Sequence, residues 1–265
     1  MKKVLVIGNG MVSYKFCEKL RSRADGNQFE VKVFGEETIP AYDRVHLSEY
    51  FSDQSDEKLL MAPRAWYEDN DIELVTGKLV TQIDRENKMI KTHTGEKESY
   101  DYLILATGSR AMVPPIEGVN KKGVFVYRTI EDLTQIIDFS RKVKRGAVLG
   151  GGLLGLEAAK ALMDLKLETQ VVEFAPRLMP RQLDEQGSAM LKSKIEALGI
   201  EILLNKNTKE IIGNGKLNGL EFTDGTRLDT DMLVISCGIV SRDELAGKAG
   251  LETGPRGGFK VNEHM

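Results

Sequence analysis

The order of apolar and polar residues predicts a strand, a tight turn, a helix and a second strand within the first 36 residues. Residues 4–7 form a continuous aliphatic run, which is typical of a parallel strand buried on both faces. Apolar residues then recur at helical spacing up to Leu20, and residues 29–34 alternate as a second strand. A glycine turn at residues 8–13 joins the first strand to the helix. The pattern therefore predicts one βαβ unit.

The same order of elements returns in the middle of the chain. Residues 146–149 are predicted to form a strand, and a second glycine turn follows at residues 150–155. A helix at residues 156–165 and a second strand at residues 169–174 complete the repeat. This duplication predicts an α/β protein with two Rossmann-like dinucleotide-binding domains, each a three-layer ββα sandwich.

The segments between the two repeats are less regular. Residues 102–106 read as a further buried strand. Three short apolar segments, each bounded by Gly or Asn, are predicted to be strands of a meander, at residues 72–75, 79–83 and 89–93.

Two prolines and a glycine in residues 113–118 interrupt both helices and strand ladders. We therefore predict a first domain at residues 1–114 and a second at residues 115–240, which closes after a buried strand. Residues 241–265 are expected to begin a return to the first domain. Because residues 254–265 end without a closing helix, we expect the first domain to be truncated at its C-terminal side.

Composition narrows the functional class. Lys and Arg number 37 and Asp and Glu number 40, a net charge of −3, which disfavours a nucleic-acid partner. The two cysteines, Cys17 and Cys237, are best explained as small buried apolar residues of a cytoplasmic protein. No apolar run is long enough to span a membrane, and the three histidines form no motif of a metal site.

The first glycine turn has the composition of a dinucleotide-binding turn. Gly8 permits the tight bend, and Gly10 leaves room for a pyrophosphate to approach the backbone, although Ser13 stands where Gly or Ala is usual. A tight turn without a ligand is the structural alternative. Glu36 follows the second strand, where a carboxylate would bind ribose hydroxyls, whereas Glu37 is expected to be a solvated loop carboxylate.

The second turn matches the dinucleotide pattern at all three glycines, Gly150, Gly152 and Gly155. Glu173 ends the following strand, where it would accept hydrogen bonds from both ribose hydroxyls of NADH and repel the 2′-phosphate of NADPH. Arg177 and Arg181 lie just beyond it. They could weaken this preference, or they could pair with Asp184 and Glu185 in a solvated loop.

Two nucleotide turns in one chain favour two sequential carriers, a nicotinamide donor and a flavin acceptor. Between the turns, residues 106–109 read Ala-Thr-Gly-Ser, and this combination resembles the FAD- and NAD-dependent pyridine nucleotide oxidoreductases. Within that superfamily, nearly the whole chain resembles the N-terminal flavoprotein part of nitrite reductase large subunits. The segments that carry this resemblance are residues 41–48, 126–133, 144–159, 173–176 and 255–258.

The resemblance implies that the first domain binds FAD and the second NADH, with NADPH possible. It implies that Arg44 lies beside the pyrophosphate or the flavin, that Val80 contacts the adenine region through its backbone, and that Arg128 contacts FAD. Glu157 would lie near the nicotinamide carboxamide. No side chain is required as an acid, base or nucleophile. The predicted cofactor-binding residues are Gly8, Gly10, Met11, Glu36, Arg44, Val80, Ala106, Thr107, Gly108, Arg128, Gly150, Gly152, Leu153, Gly155, Glu157, Glu173 and Gly238.

Departures from related families sharpen this interpretation. The chain has no cysteine pair for dithiol chemistry, and Glu49 stands where ferredoxin reductases carry a lysine. The iron–sulfur and sirohaem groups of nitrite reductase are expected only in modules beyond this chain, because two cysteines cannot hold them.

The leading hypothesis is an electron-entry module that transfers hydride from NAD(P)H to FAD. Its expected partners are a nicotinamide nucleotide and downstream iron–sulfur and sirohaem modules or a small redox protein, with neither nucleic acid nor membrane. Two alternatives remain: an NADH-dependent rubredoxin or ferredoxin reductase, and a nucleotide-binding fragment without turnover.

Overall fold

The computed structural model describes residues 1–265, which form two compact units. The first unit comprises residues 1–46, 55–110 and 240–265, and the second comprises residues 47–54 and 111–239. Which cofactor each predicted domain binds remains a prediction.

Seventeen strands and seven α-helices make up the two units. The strands are β1 (Lys2–Ile7), β2 (Phe29–Phe34), β3 (Ile72–Val75), β4 (Val80–Asp84), β5 (Met89–Thr92), β6 (Lys97–Ser99), β7 (Tyr102–Leu105), β8 (Ser109–Ala111), β9 (Val124–Val126), β10 (Arg145–Leu149), β11 (Glu168–Val172), β12 (Glu201–Leu203), β13 (Thr208–Ile212), β14 (Gly219–Phe222), β15 (Arg227–Asp229), β16 (Met232–Ile235) and β17 (Ile239–Ser241). The helices are α1 (Met11–Arg21), α2 (Tyr50–Asp53), α3 (Arg64–Asp69), α4 (Ile130–Ser140), α5 (Leu153–Asp164), α6 (Glu185–Glu196) and α7 (Glu244–Ala249). None of these helices has the length and apolar character that a bilayer crossing requires.

The first unit consists of three layers built on a parallel sheet of order β3-β2-β1-β7. Successive residues of β1 point to opposite faces of the sheet. Val4 packs with Cys17 of α1 on the helix side. Leu5 packs with Ile90 of the antiparallel sheet β4-β5-β6 on the other side. The continuous aliphatic run of β1 is therefore explained by burial on both faces.

The second unit repeats this architecture. Its parallel sheet has the order β12-β11-β10-β16-β9, and a separate antiparallel sheet has the order β13-β14-β15. Ala147 and Leu149 of β10 pack against Leu220 and Phe222 of that antiparallel sheet. The predicted fold, with a Rossmann-like parallel sheet in each half, is confirmed.

One strand of the predicted meander belongs to a different sheet. Residues 72–75 form β3, which pairs parallel with β2 rather than antiparallel with β4. Ile72 is buried in the helix-side core, and this burial fixes the strand at the edge of the parallel sheet. The third meander strand is instead β6, whose sequence Lys-Glu-Ser carries no apolar pattern by which it could be recognised.

Asp231 fixes the start of β10 in the second unit. Its carboxylate accepts hydrogen bonds from the backbone N–H of Arg145 at 3.1 Å and from Arg145 Nη2 at 3.0 Å. The hydrogen bond from the Arg145 side chain is the main cause that lowers the pKa of Asp231, and backbone N–H groups add to it.

Replacing this carboxylate should destabilise the protein in a pH-dependent way. We expect Asp231→Asn to lower the free energy of unfolding at pH 7 by about 1 kcal/mol, because charge-assisted hydrogen bonds are lost. Since the folded pKa lies below the unfolded value of about 3.9, the stabilisation is present above that value and disappears as the pH falls through the folded pKa. Urea unfolding at pH 7 and near pH 3 measures the difference.

Asp229→Asn is the matched control, because Asp229 is 77% exposed and lies 3.8 Å from the Arg145 guanidinium. Its loss should be small at both pH values. A loss in Asp231→Asn that stays the same at pH 3, or an equal loss in Asp229→Asn, would contradict this role of Asp231.

Candidate nucleotide-binding sites

The first glycine turn follows β1 and is shaped by a close backbone contact. Gly8 has a φ of +105°, and a Cβ on it would lie 2.2 Å from the carbonyl oxygen of Ala106. Only glycine fits there. A Cβ on Gly10 would meet no atom of the chain within 4 Å. The turn therefore leaves open space above its second glycine, as a pyrophosphate would require.

Helix α1 begins directly after this space, at Met11. Its N-cap residue, Gly10, provides no side-chain hydrogen bond, so the first N–H groups of the helix remain available to a ligand. Ser13 is buried, and its hydroxyl donates a hydrogen bond to the carbonyl oxygen of Gly10 at 2.8 Å. The serine thus occupies the position of the usual third glycine without filling the open space.

The second glycine turn has the same geometry. Gly150 has a φ of +119°, and a Cβ on it would lie 2.4 Å from the carbonyl oxygen of Ser236. A Cβ on Gly152, the N-cap of α5, would meet no chain atom within 4 Å. A Cβ on Gly155 would lie 1.9 Å from the carbonyl oxygen of Gly150. The three glycines therefore have distinct roles, and helix α5 starts at Leu153 with its first N–H groups uncapped.

A strand end lies beside each turn. The carbonyl oxygens of Ala106, after β7, and Ser236, after β16, are the ones that approach the first glycines. Two residues further on, Gly108 and Gly238 have φ values of +69° and +115°, and no chain atom would meet a Cβ on either of them within 4 Å. The predicted residues Ala106 to Gly108 and Gly238 thus adjoin the turns in equivalent positions. The internal repeat could have identified Ser236, which the sequence analysis omitted.

The ribose carboxylate predicted for the second unit is built into its turn. Glu173 is only 6% exposed, and its two oxygens accept hydrogen bonds from the N–H groups of Gly151 at 2.5 Å and Ala175 at 2.8 Å. The alternative pairing of Arg177 with Asp184 does not form. Asp184 instead accepts from the N–H of Gly187 at 2.8 Å as the N-cap of α6.

The two carboxylates after β2 differ from expectation in one respect. Glu37 is not a solvated loop carboxylate, because it accepts hydrogen bonds from the buried hydroxyl of Tyr42 at 2.7 Å and from the guanidinium of Arg44. Arg44 also lies over the Tyr42 ring, 4.4 Å from its centroid. Glu36 is the more exposed of the two, and it forms an ion pair with Arg242. The ordering of Glu37 follows from the burial of Tyr42, which sequence position alone does not reveal.

The remaining predicted residues lie on several elements, and their roles stay predictions. Val80 is 4% exposed at the start of β4. Arg128 precedes α4, where its N–H donates to Asp132 at 3.1 Å. Glu157 lies in α5. Burial raises the pKa of the nearby Tyr127 hydroxyl, and the Glu157 carboxylate raises it further.

Neither cysteine is available as a thiolate. Cys17 is fully buried, and burial raises the pKa of its thiol to about 12. Burial, with a smaller contribution from the Glu173 carboxylate, raises the pKa of Cys237 to about 11. Both side chains therefore remain protonated thiols at neutral pH and cannot act as nucleophiles.

Because the space above Gly152 is open, we expect a side chain at this position to weaken nucleotide binding with little effect on stability. Gly152→Val should lower the free energy of unfolding by no more than about 1 kcal/mol, since no chain atom lies within 4 Å of a Cβ at this N-cap position. It should raise the Kd for NADH at least tenfold by filling the pyrophosphate position. Gly155→Ala is the matched comparison, because its Cβ would overlap a carbonyl and cost about 1–3 kcal/mol of stability. Calorimetric titration and thermal unfolding measure the two effects, and unchanged NADH affinity in Gly152→Val would refute the site.

The position of Glu173 predicts a preference between nicotinamide nucleotides. Glu173→Gln keeps an oxygen acceptor for one backbone N–H but removes the charge, so NADH binding should weaken about tenfold and NADPH binding should change less. Titration of each nucleotide against wild type and variant measures this difference. Equal losses for both nucleotides would remove the ribose role of Glu173.

Known proteins with similar sequences include nitrite reductases. The nitrite reductase (NADH) large subunit of Escherichia coli is 46% identical over 263 residues, which are 98% of this chain and 31% of that protein. An NAD(P)H nitrite reductase of Bacillus subtilis is 38% identical over 265 residues, which are 100% of this chain and 32% of that protein. The chain therefore spans about a third of the length of these relatives.

A solved structure shows the same fold. The ferredoxin reductase of the CYP199A2 system of Rhodopseudomonas palustris superimposes with a TM-score of 0.89 at 27% identity, covering 96% of this chain and 63% of that one. The sequence pattern of the pyridine nucleotide-disulphide oxidoreductases matches residues 2–265. Members of that family depend on FAD and NAD(P)H, so the predicted cofactors and oxidoreductase class are confirmed. This chain belongs to the pyridine nucleotide-disulphide oxidoreductase family.

Proposed function

We propose that the chain is the electron-entry part of a cytoplasmic NAD(P)H-dependent nitrite reductase. The observation that carries the proposal is the pair of glycine turns, each with open space above its second glycine and an uncapped helix behind it. The similarity to nitrite reductase large subunits along 98% of the chain supports this choice of reductase. We assign the reduction of nitrite itself to parts of such a protein outside the aligned third.

The residues of each turn support the binding of one dinucleotide. The uncapped N–H groups at Met11 and Leu153 can donate to phosphate oxygens, and the positive end of each helix favours their negative charge. Bound FAD supplies the hydride-accepting chemistry. The chain contributes position and electrostatics, with Glu36 and Glu173 as acceptors for the ribose hydroxyls.

A ferredoxin reductase is the second candidate, because the superimposed structure of that class has a TM-score of 0.89. Glu49, exposed at the end of a 3-10 helix, takes the place of the lysine that is usual in ferredoxin reductases. This difference and the higher identity to nitrite reductases favour the first proposal.

Anaerobic visible spectroscopy tests the proposal. The purified chain should show flavin absorption that NADH bleaches, because both carriers bind to it. Gly152→Val should keep the flavin absorption but resist bleaching by NADH, while dithionite should still bleach it. Gly10→Val should lose the flavin and keep its affinity for NADH.

A colourless wild-type protein that binds NADH would contradict the flavoprotein function and leave a nucleotide-binding fragment. Rapid electron transfer from the reduced chain to an added ferredoxin would favour the second candidate.

A further inference from the structure

Arg242 lies in the first unit, just after β17, and its side chain reaches the predicted ribose carboxylate of that unit. The guanidinium Nη1 donates to Glu36 Oε2 in an ion pair whose side chains are 31% and 46% exposed. The second oxygen of Glu36, Oε1, has no hydrogen bond or ion pair with another side chain of the protein. One oxygen of Glu36 is thus fixed, and the other is available as an acceptor.

The backbone of Arg242 is held by the strand end that adjoins the first glycine turn. Its N–H donates to the carbonyl oxygen of Gly108 at 3.0 Å. Its carbonyl oxygen accepts from the hydroxyl of Thr107 at 2.6 Å. Arg242 therefore joins two segments predicted to bind the flavin nucleotide, the end of β7 and the loop after β2.

The segment around Arg242 is also fixed from its C-terminal side. Asp243 accepts a hydrogen bond from the N–H of Gly258 at 2.6 Å. Leu245 and Ala246 of α7 are buried in the first unit, at 7% and 0% exposure. The guanidinium consequently extends from an anchored backbone rather than from a free loop.

The corresponding carboxylate of the second unit has different hydrogen-bond donors. Both oxygens of Glu173 accept backbone N–H groups, so the turn itself orients that side chain. Glu36 accepts no backbone N–H, and Arg242 is its hydrogen-bond donor. The two repeats thus hold equivalent carboxylates by different means.

We propose that Arg242 is a positioning residue for the binding of FAD. Its guanidinium orients the Glu36 carboxylate toward the adenosine ribose hydroxyls. The inference rests on the proposed function, because it requires FAD in the first unit. Glu36 contacts only the AMP half of FAD in this arrangement, so Arg242 should have no effect on FMN, which lacks that half.

The test compares FAD and FMN binding to the flavin-free 265-residue chain by flavin fluorescence. Arg242→Gln should raise the Kd for FAD about tenfold, because the charge-assisted hydrogen bond that orients Glu36 is lost. The Kd for FMN should stay unchanged. Arg110→Gln is the matched control, because it removes an exposed arginine–carboxylate pair of the same unit, Arg110 with Glu244 at 3.3 Å. Arg110→Gln should change neither the Kd for FAD nor the Kd for FMN. The two variants should have the same melting temperature in the absence of flavin.

A double-mutant cycle shows whether Arg242 acts through Glu36. Glu36→Ala combined with Arg242→Gln should weaken FAD binding no further than Glu36→Ala alone. Equal weakening of FAD and FMN in Arg242→Gln, or additive effects in the double variant, would overturn the positioning role. A wild-type chain that binds no FAD would contradict the proposed function, whereas a wild type that binds FAD as tightly as Arg242→Gln would contradict the Arg242 inference alone.

Discussion

The close approach of a strand-end carbonyl to the first glycine of each turn is the constraint on which the two candidate sites depend. The positions of a Cβ on Gly8 and on Gly150 lie 2.2 Å and 2.4 Å from the carbonyl oxygens of Ala106 and Ser236. Each contact brings the central strand of a parallel sheet against its neighbour where the chain leaves the sheet. The backbone must then turn sharply, and the following helix begins with uncapped N–H groups beside open space.

The two halves of the duplication differ at the third glycine position and in the hydrogen bonds of their carboxylates. The third glycine position holds Ser13 in the first turn and Gly155 in the second, where a Cβ would lie 1.9 Å from a carbonyl oxygen. The carboxylates predicted to bind ribose differ as well, because Glu173 accepts hydrogen bonds from backbone N–H groups and Glu36 accepts one from a guanidinium. Such differences agree with the prediction that the two copies of this supersecondary unit bind different nucleotides. They also mean that a substitution in one turn need not have the same effect in the other.

Local patterns predicted the parts of the fold that local physics determines. Both βαβ units could be predicted from the aliphatic runs of β1 and β10 and from the glycine spacing. A strand buried on both faces requires aliphatic residues, and a positive φ favours glycine. Strand β6 could not be predicted, since it has no apolar alternation, and β3 was placed in the wrong sheet because pairing depends on distant partners. The ordering of Glu37 and the position of Arg242 were missed for the same reason. Each depends on contacts between segments far apart in the chain.

Amide hydrogen exchange of the flavin-free chain tests most directly the claim that each glycine turn binds one nucleotide. We expect FAD to slow exchange at residues 10–13 and to leave residues 152–155 unaffected. We expect NADH to slow exchange at residues 152–155 and to leave residues 10–13 unaffected. Slowing of both turns by the same single nucleotide, or of neither turn by either nucleotide, would contradict this claim.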